Sequence, residues 1–211
     1  MVVPVVADIA GMSDRIAIIG CGNPNRCDDG AGIEVVRLLR DMLGELVHRS
    51  KRRLQPEFGK IDAYQKTSAM ARERSECVSA LGDRIRLLDA GTDGMSVMFA
   101  ARGCDALIIV DACLAGAEAG AIFEVPGAEL AAAPPKDSFT LHDFRWDHAL
   151  HAGRRMFAAD FPAEVSVFLI QAGRVDLGIG LSPAVKDAAE RVAAIIAGRV
   201  RKLCAVAEPV S

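Results

Sequence analysis

Two adjacent carboxylates, Asp28 and Asp29, lie in the glycine-rich stretch GCGNPNRCDDGAG, which spans residues 20–32. The stretch joins an apolar run to a helical pattern, as phosphate-binding loops do, but the acids stand where a phosphate would bind. Because a helix N-terminus stabilises a carboxylate, both acids are also explained as helix caps. One acid would cap the helix adequately, and the second, held at the end of a strand, indicates a cation site.

A nucleotide-binding loop needs residues that this stretch lacks. A dinucleotide fingerprint has a third glycine that lets the helix close on the strand, and Asn25 stands at that position. A Walker-type phosphate loop has a lysine followed by serine or threonine, and neither is present. A nucleotide-binding oxidoreductase is therefore the weaker alternative for this chain.

Two further carboxylates close apolar runs that are typical of strands. Asp89 closes RIRLLDAG (84–91), and Asp111 closes ALIIVDA (106–112). The carboxyl ends of parallel strands share one edge of an open sheet, and ligands bind at that edge. Asp29, Asp89 and Asp111 are therefore predicted to converge there, although each alone is also explained as an aspartate that starts a turn.

One of the four histidines suits the same edge of the sheet. His142 lies in a loop just before Asp143, the predicted N-cap of a helix. His148 and His151 lie inside that helix and are more typical of surface or boundary positions. Two carboxylates and one imidazole suit a borderline divalent ion such as zinc or nickel, with positions left open for water or substrate. The predicted metal ligands are Asp29, Asp111 and His142.

Alternating apolar runs and helical patterns predict the elements that position these residues. Strands are predicted at 15–20, 84–91, 106–112, 121–125 and 165–173. Helices are predicted at 30–47 and at about 94–102, 143–158 and 183–204. Ser182 and Pro183 are predicted as N-cap and first residue of the last helix. This alternation predicts an α/β fold with a mostly parallel sheet and helices on both faces.

Composition predicts a single domain, 1–211, since 211 residues of which 51% are hydrophobic can bury a core. The net charge of −3 gives no broad attraction to nucleic acid or anionic lipid, so neither is predicted as a partner. No apolar run is long enough to span a bilayer. The six cysteines form no CxxC pair, which fits a reducing compartment. A cytoplasmic protein is therefore expected.

The polar segment 48–83 interrupts the alternation and contains the basic run HRSKRR. Segments of this length in compact domains are usually functional or disordered. Because it adds little periodic apolar surface, it is expected to be an exposed insertion that is dispensable for folding. If it has a role, partner recognition is expected.

Four motifs in this order resemble those of the nickel–iron hydrogenase maturation proteases. These endopeptidases remove the C-terminal extension of the hydrogenase large subunit after nickel insertion. The motifs are IAIIGCGNPNRCDDGAG, LLDAGTDGM, ALIIVDA and HDF. The resemblance runs from about residue 15 to 200 apart from the insertion, and it implies a twisted five-stranded sheet between helices.

The resemblance carries the family's functional residues onto named positions. Its metal-binding residues fall on Asp29, Asp111 and His142, the same three residues as above. Asn23 matches the asparagine of the family's glycine loop. The residues predicted to bind substrate are Asn23 and, from the family's DxGTxG loop, Asp89, Gly91, Thr92 and Gly94.

The resemblance implies that a hydrogenase large-subunit precursor is the partner and that its nickel is the recognition element. Zinc or another divalent ion is the expected substitute in the isolated protein. The sequence contains neither GxSxG nor HExxH, so serine and thermolysin-like mechanisms lack support. A chaperone that holds nickel without cleaving anything would use the same three ligands, and this alternative stays open.

Overall fold

The structure is a computed structural model that describes residues 15–51, 84–130 and 145–206. The strands in these ranges are β1 (Ile16–Cys21), β2 (Ile85–Gly91), β3 (Ala106–Cys113), β4 (Ile122–Pro126) and β5 (Glu164–Gln171). The helices are α1 (Ala31–Lys51), α2 (Gly94–Ala101), α3 (Trp146–Phe157) and α4 (Pro183–Val206). A 3₁₀ turn, Cys27–Gly30, immediately precedes α1.

The strands form one five-stranded sheet in the order β2-β1-β3-β5-β4. Strands β2, β1, β3 and β5 are mutually parallel, and β4 at the edge pairs antiparallel with β5. The predicted α/β fold with a mostly parallel five-stranded sheet is confirmed. Strand β1 lies between β2 and β3, so the three strand ends that carry acids or the glycine loop are neighbours, as predicted.

The central strand β1 shows why the sheet is covered on both faces. It is apolar and buried along its whole length, which is typical of a parallel strand between two helical layers. Ile16 and Ile18 lie in a core cluster with α1 and α4. Ala17 and Ile19 point to the other face and pack in a cluster with α2 and α3.

Helix α1 packs on the sheet through the apolar stripe that its sequence predicts. Val36, Leu39 and Leu43 are buried, and Ile33 is half-buried. The helix is described as far as Lys51, so residues 48–51, which the sequence assigned to the start of the insertion, are helical. The rest of the insertion, residues 52–83, lies outside the described residues.

Helix α3 begins later than predicted and buries a histidine. Its first residue is Trp146, with Arg145 extended before it as N-cap, and the predicted cap Asp143 lies outside the described residues. His148 is buried and not at the expected surface or boundary position, and its Nδ1 accepts a hydrogen bond from the Arg145 backbone N at 3.3 Å. Its ring therefore helps to fix the start of the helix.

Helix α4 begins as predicted. Pro183 is its first residue, and the carbonyl oxygen of Ser182 accepts a hydrogen bond from Lys186 N at 2.9 Å. Within the described ranges, we find no helix with the length and apolar character to cross a membrane.

Candidate functional site at the carboxyl edge of the sheet

At Gly22, where the chain leaves β1, the backbone carbonyl of Asp29 and the side chain of Asp111 both lie close to the main chain. A β-carbon added at Gly22 would lie 1.8 Å from the carbonyl oxygen of Asp29 and 3.6 Å from Oδ1 of Asp111. Gly22 also has a φ of 121°, which side-chain-bearing residues rarely adopt. Only glycine therefore fits here.

Asp29 lies in the 3₁₀ turn and is half-buried. Its Oδ2 and its carbonyl oxygen both accept hydrogen bonds from the Asn23 backbone N, at 3.2 Å and 3.1 Å. No residue in the described ranges donates a hydrogen bond to its Oδ1.

The conformation of the glycine loop opposes phosphate binding. The Asn23 side chain closes the loop on itself, since its Oδ1 accepts a hydrogen bond from Asn25 N at 3.0 Å. The Asn23 amide already donates to Asp29, so a pyrophosphate would have to displace this carboxylate. The contacts therefore argue against the nucleotide-binding alternative.

Asp111 ends the buried part of β3 and is only 5% exposed. Its Oδ2 accepts a hydrogen bond from Nε1 of Trp146 at 2.7 Å, and its Oδ1 accepts one from Ala112 N at 2.8 Å. An Nη2 nitrogen of Arg145 lies 3.6 Å from Oδ2. The first turn of α3 therefore fixes the orientation of the Asp111 carboxylate.

The surroundings of Asp111 raise the pKa of its carboxyl group towards neutral pH. Burial raises the pKa of Asp111 to about 6, and the charge of Asp29 also raises it. The hydrogen bonds from Trp146 and Ala112 and the charge of Arg145 lower the pKa, but burial outweighs them. A carboxylate with a pKa in this range can take up a proton near neutral pH, as a general base must.

The two cysteines near the acids, Cys21 and Cys27, are both buried. Cys21 lies at the end of β1, and burial raises the pKa of its thiol well above the ordinary value, with Asp111 and Asp89 adding to the shift. A protonated thiol is neither a nucleophile nor a metal ligand. Cys27 is buried against the loop after β5, where its N donates to the Gly178 carbonyl at 2.9 Å.

The predicted DxGTxG loop continues from β2 beside the glycine loop. Oδ1 of the exposed Asp89 accepts a hydrogen bond from Gly91 N at 3.0 Å. The Gly91 carbonyl in turn accepts one from Gly22 N at 2.9 Å, which joins the two loops. Thr92 is exposed, and Gly94 is the buried first residue of α2. These residues line the predicted edge, and their binding of substrate stays a prediction.

Asp28 does not share the environment of Asp29, although the two are adjacent. It is fully buried, and its carboxylate accepts four hydrogen bonds of 2.6–3.0 Å. The donors are Gly173 N, Arg174 N, Ser182 N and Ser182 Oγ. Burial alone would raise the pKa of Asp28, but these hydrogen bonds outweigh it and lower the pKa. Asp28 therefore anchors a loop, whereas it is the charge of Asp29 that raises the pKa of Asp111.

The third predicted ligand, His142, lies outside the described residues. In the ranges 15–51, 84–130 and 145–206, no three His, Cys, Asp or Glu side chains are grouped so that they could hold a metal ion. Asp29 and Asp111 both lie near Gly22 at the carboxyl edge of the sheet, and their binding of a metal stays a prediction. The complete metal site stays a prediction.

Comparison with known proteins decides the family. The model of the hydrogenase maturation proteases of the HycI type matches residues 70–199, which is more than half of the chain. The chain belongs to the hydrogenase maturation protease family. The match begins at residue 70, which lies inside the predicted insertion.

Solved structures of hydrogenase maturation proteases have the same fold. The HybD endopeptidase from E. coli is 19% identical, with a TM-score of 0.59, and the match covers 89% of this chain and 93% of that one. HycI from Thermococcus kodakarensis is 20% identical, with a TM-score of 0.58 and coverage of 94% and 99%. Among curated proteins, no sequence matches this maturation protease.

Three side chains of this maturation protease were missed by reasoning from its sequence. Trp146 and Arg145 contact Asp111, and Gln171 is one of four buried polar side chains in the described ranges. The signal for Trp146 was available, because it is the only tryptophan and closely follows the HDF motif. Its contact with Asp111 depends on how α3 packs, which no local pattern reveals.

We expect the metal-free maturation protease to lose stability as the pH rises from about 4 to about 6, because folded Asp111 binds its proton more tightly than the unfolded chain does. The stabilisation is complete below the pKa that Asp111 has in the unfolded chain. It disappears as the pH rises through the pKa that Asp111 has in the folded protein. Asp111→Asn should remove this contribution, which is on the order of 3 kcal/mol for a shift of this size. Urea denaturation of both proteins at about pH 4 and pH 7.5 tests this. Identical pH dependence in the two proteins would contradict it.

Proposed function

We propose that this maturation protease removes the C-terminal extension of a nickel–iron hydrogenase large-subunit precursor once nickel has been inserted. The observation that carries the proposal is that the Asp29 backbone and the Asp111 carboxylate both lie close to Gly22 at the carboxyl edge of the sheet, where the charge of Asp29 raises the pKa of Asp111. Oδ1 of Asp29 accepts no hydrogen bond from the described residues, and the Asp111 carboxylate is oriented by Trp146 and has a pKa of about 6. Membership of the family supports proteolysis, and the pair of acids supports recognition of a cation.

In this proposal the metal arrives with the substrate. Asp29, Asp111 and His142 bind the nickel of the precursor and leave coordination positions open for a water or the scissile carbonyl. An aspartate accepts the proton of the attacking water. Asn23 and the loop from Asp89 bind the polypeptide of the precursor.

Nickel dependence of cleavage is the decisive test. We expect the protein to remove the C-terminal peptide from a nickel-loaded precursor and to leave a nickel-free precursor intact at the same concentration. Mass spectrometry of the precursor after incubation measures the loss of the peptide. Equal trimming of both precursors would show that nickel is not recognised.

The same experiment separates a protease from a chaperone. A chaperone that uses the same ligands would take up or deliver nickel without changing the mass of the precursor. Metal analysis of the two separated proteins after incubation therefore accompanies the mass measurement. Nickel transfer with an intact precursor would replace the proposed function by the chaperone alternative.

A further inference from the structure

The loop between β5 and α4, residues 172–182, displays two large apolar side chains to solvent. Leu177 is 83% exposed and Ile179 is 88% exposed, more than any other large apolar side chain in the described ranges. Single exposed apolar residues are common on protein surfaces and need no explanation. Leu177 and Ile179 differ from such residues because hydrogen bonds hold the backbone that carries them.

This loop is hydrogen-bonded at both of its ends and in its middle. At the ends, Asp28 accepts hydrogen bonds from the backbone N of Gly173, Arg174 and Ser182. In the middle, Gly178 N donates to the Asn25 carbonyl, and the Gly178 carbonyl accepts from Cys27 N, both at 2.9 Å. Gly178 lies between the two exposed side chains, so the main chain that presents them is fixed before any partner binds.

The neighbouring loop at the same edge is built in the same way. Buried Gln171 accepts hydrogen bonds through Oε1 from Ala115 N at 2.8 Å and Ala117 N at 3.3 Å. That loop carries Leu114, which is 70% exposed. Two buried polar side chains therefore hold two loops that each display apolar surface beside the candidate site. Fixing a binding loop in advance removes the ordering cost of association.

We propose that Leu177 and Ile179 form a docking surface for an apolar segment of the hydrogenase large-subunit precursor. This inference rests on the proposed function. The loop that carries this surface is hydrogen-bonded to Asn25, Cys27 and Asp28, which belong to the same glycine loop as Asp29. In this proposal, a polypeptide that is bound at Asp29 extends over the adjoining loop and contacts Leu177 and Ile179.

A second copy of the chain is a weaker occupant of the same surface. A stable dimer buries about 800 Å² on each partner, and two side chains supply much less than that. They are sufficient, however, to add affinity and selectivity to a substrate that is already held at the metal. Apolar contacts of this kind strengthen binding of the ground state and of the transition state alike.

The test is the double variant Leu177→Ser/Ile179→Ser in the full chain, with the nickel-loaded precursor as substrate. The matched control is Met156→Ser, an apolar side chain that is 63% exposed and lies about 15 Å along α3 from Trp146. We expect KM of the double variant to rise roughly tenfold for each side chain removed, with kcat unchanged. The control should keep both constants of the original protein.

The other possible outcomes contradict either the proposed function or the docking surface. If the original protein leaves the precursor intact, the proposed function fails and the docking surface fails with it. If it cleaves and the double variant has the same KM, only the docking surface is wrong. A fall in kcat at constant KM would show that the loop shapes the site instead. Self-association that is lost in the double variant, with KM unchanged, would identify a second copy as the occupant.

Discussion

Replacing Asp29 by asparagine should reduce processing of the nickel-loaded precursor at least ~100-fold while leaving the free energy of unfolding almost unchanged. Asparagine has the size of aspartate and keeps an oxygen that can accept the hydrogen bond from Asn23 N. The fold therefore loses nothing that it needs. The site loses a negative charge and the one carboxylate oxygen that no described residue contacts.

The measurement is kcat/KM for release of the C-terminal peptide, together with urea denaturation of each variant. Asp187→Asn is the matched control, since Asp187 is an exposed acid on α4 and carries the same change of charge. It should process the precursor at the original rate. If Asp29→Asn also processes the precursor at that rate, Asp29 is not a ligand of the nickel.

The sequence was sufficient to predict the sheet because its strands differ so clearly from their surroundings. β1 and β3 are continuous apolar runs, which only a sheet covered on both faces can bury. Parallel neighbours then force their carboxyl ends to one edge, so the placement of Asp111 and of the glycine loop at the same edge followed from the topology. Residue types and strand order were enough for that step.

The division of labour between Asp28 and Asp29 could not be predicted in the same way. Both acids lie at the start of a helix, and the local sequence pattern does not show which of them is fully buried. What separates them is a set of hydrogen bonds from residues 173–182, which lie about 150 positions further along the chain. The contact of Trp146 with Asp111 likewise depends on the packing of α3 against the sheet. Such contacts are properties of the folded chain alone.

The fully buried carboxylate of Asp28 makes Asp28→Ala the most destabilising substitution that we predict. The change leaves three backbone N–H groups and one hydroxyl without their acceptor. Buried donors that lose a charged acceptor each lose about 1–3 kcal/mol, and water that enters the space recovers part of this. We therefore expect the free energy of unfolding at about pH 7.5 to fall by about 3–5 kcal/mol. Ser182→Ala, which removes one donor of the four, should lower it by only about 1 kcal/mol.

The pH dependence of the destabilisation caused by Asp28→Ala shows whether it comes from loss of the negative charge or from loss of side-chain packing. The folded pKa of Asp28 lies below the ordinary value of 3.8, so its contribution is present above that pH and disappears as the pH falls through the folded pKa. The difference in stability between the original protein and Asp28→Ala should accordingly shrink as the pH falls below about 4. Urea denaturation of both proteins over this range measures the difference. A difference that stays constant with pH would mean that the Asp28 charge does not hold the loop, and that packing alone accounts for the loss.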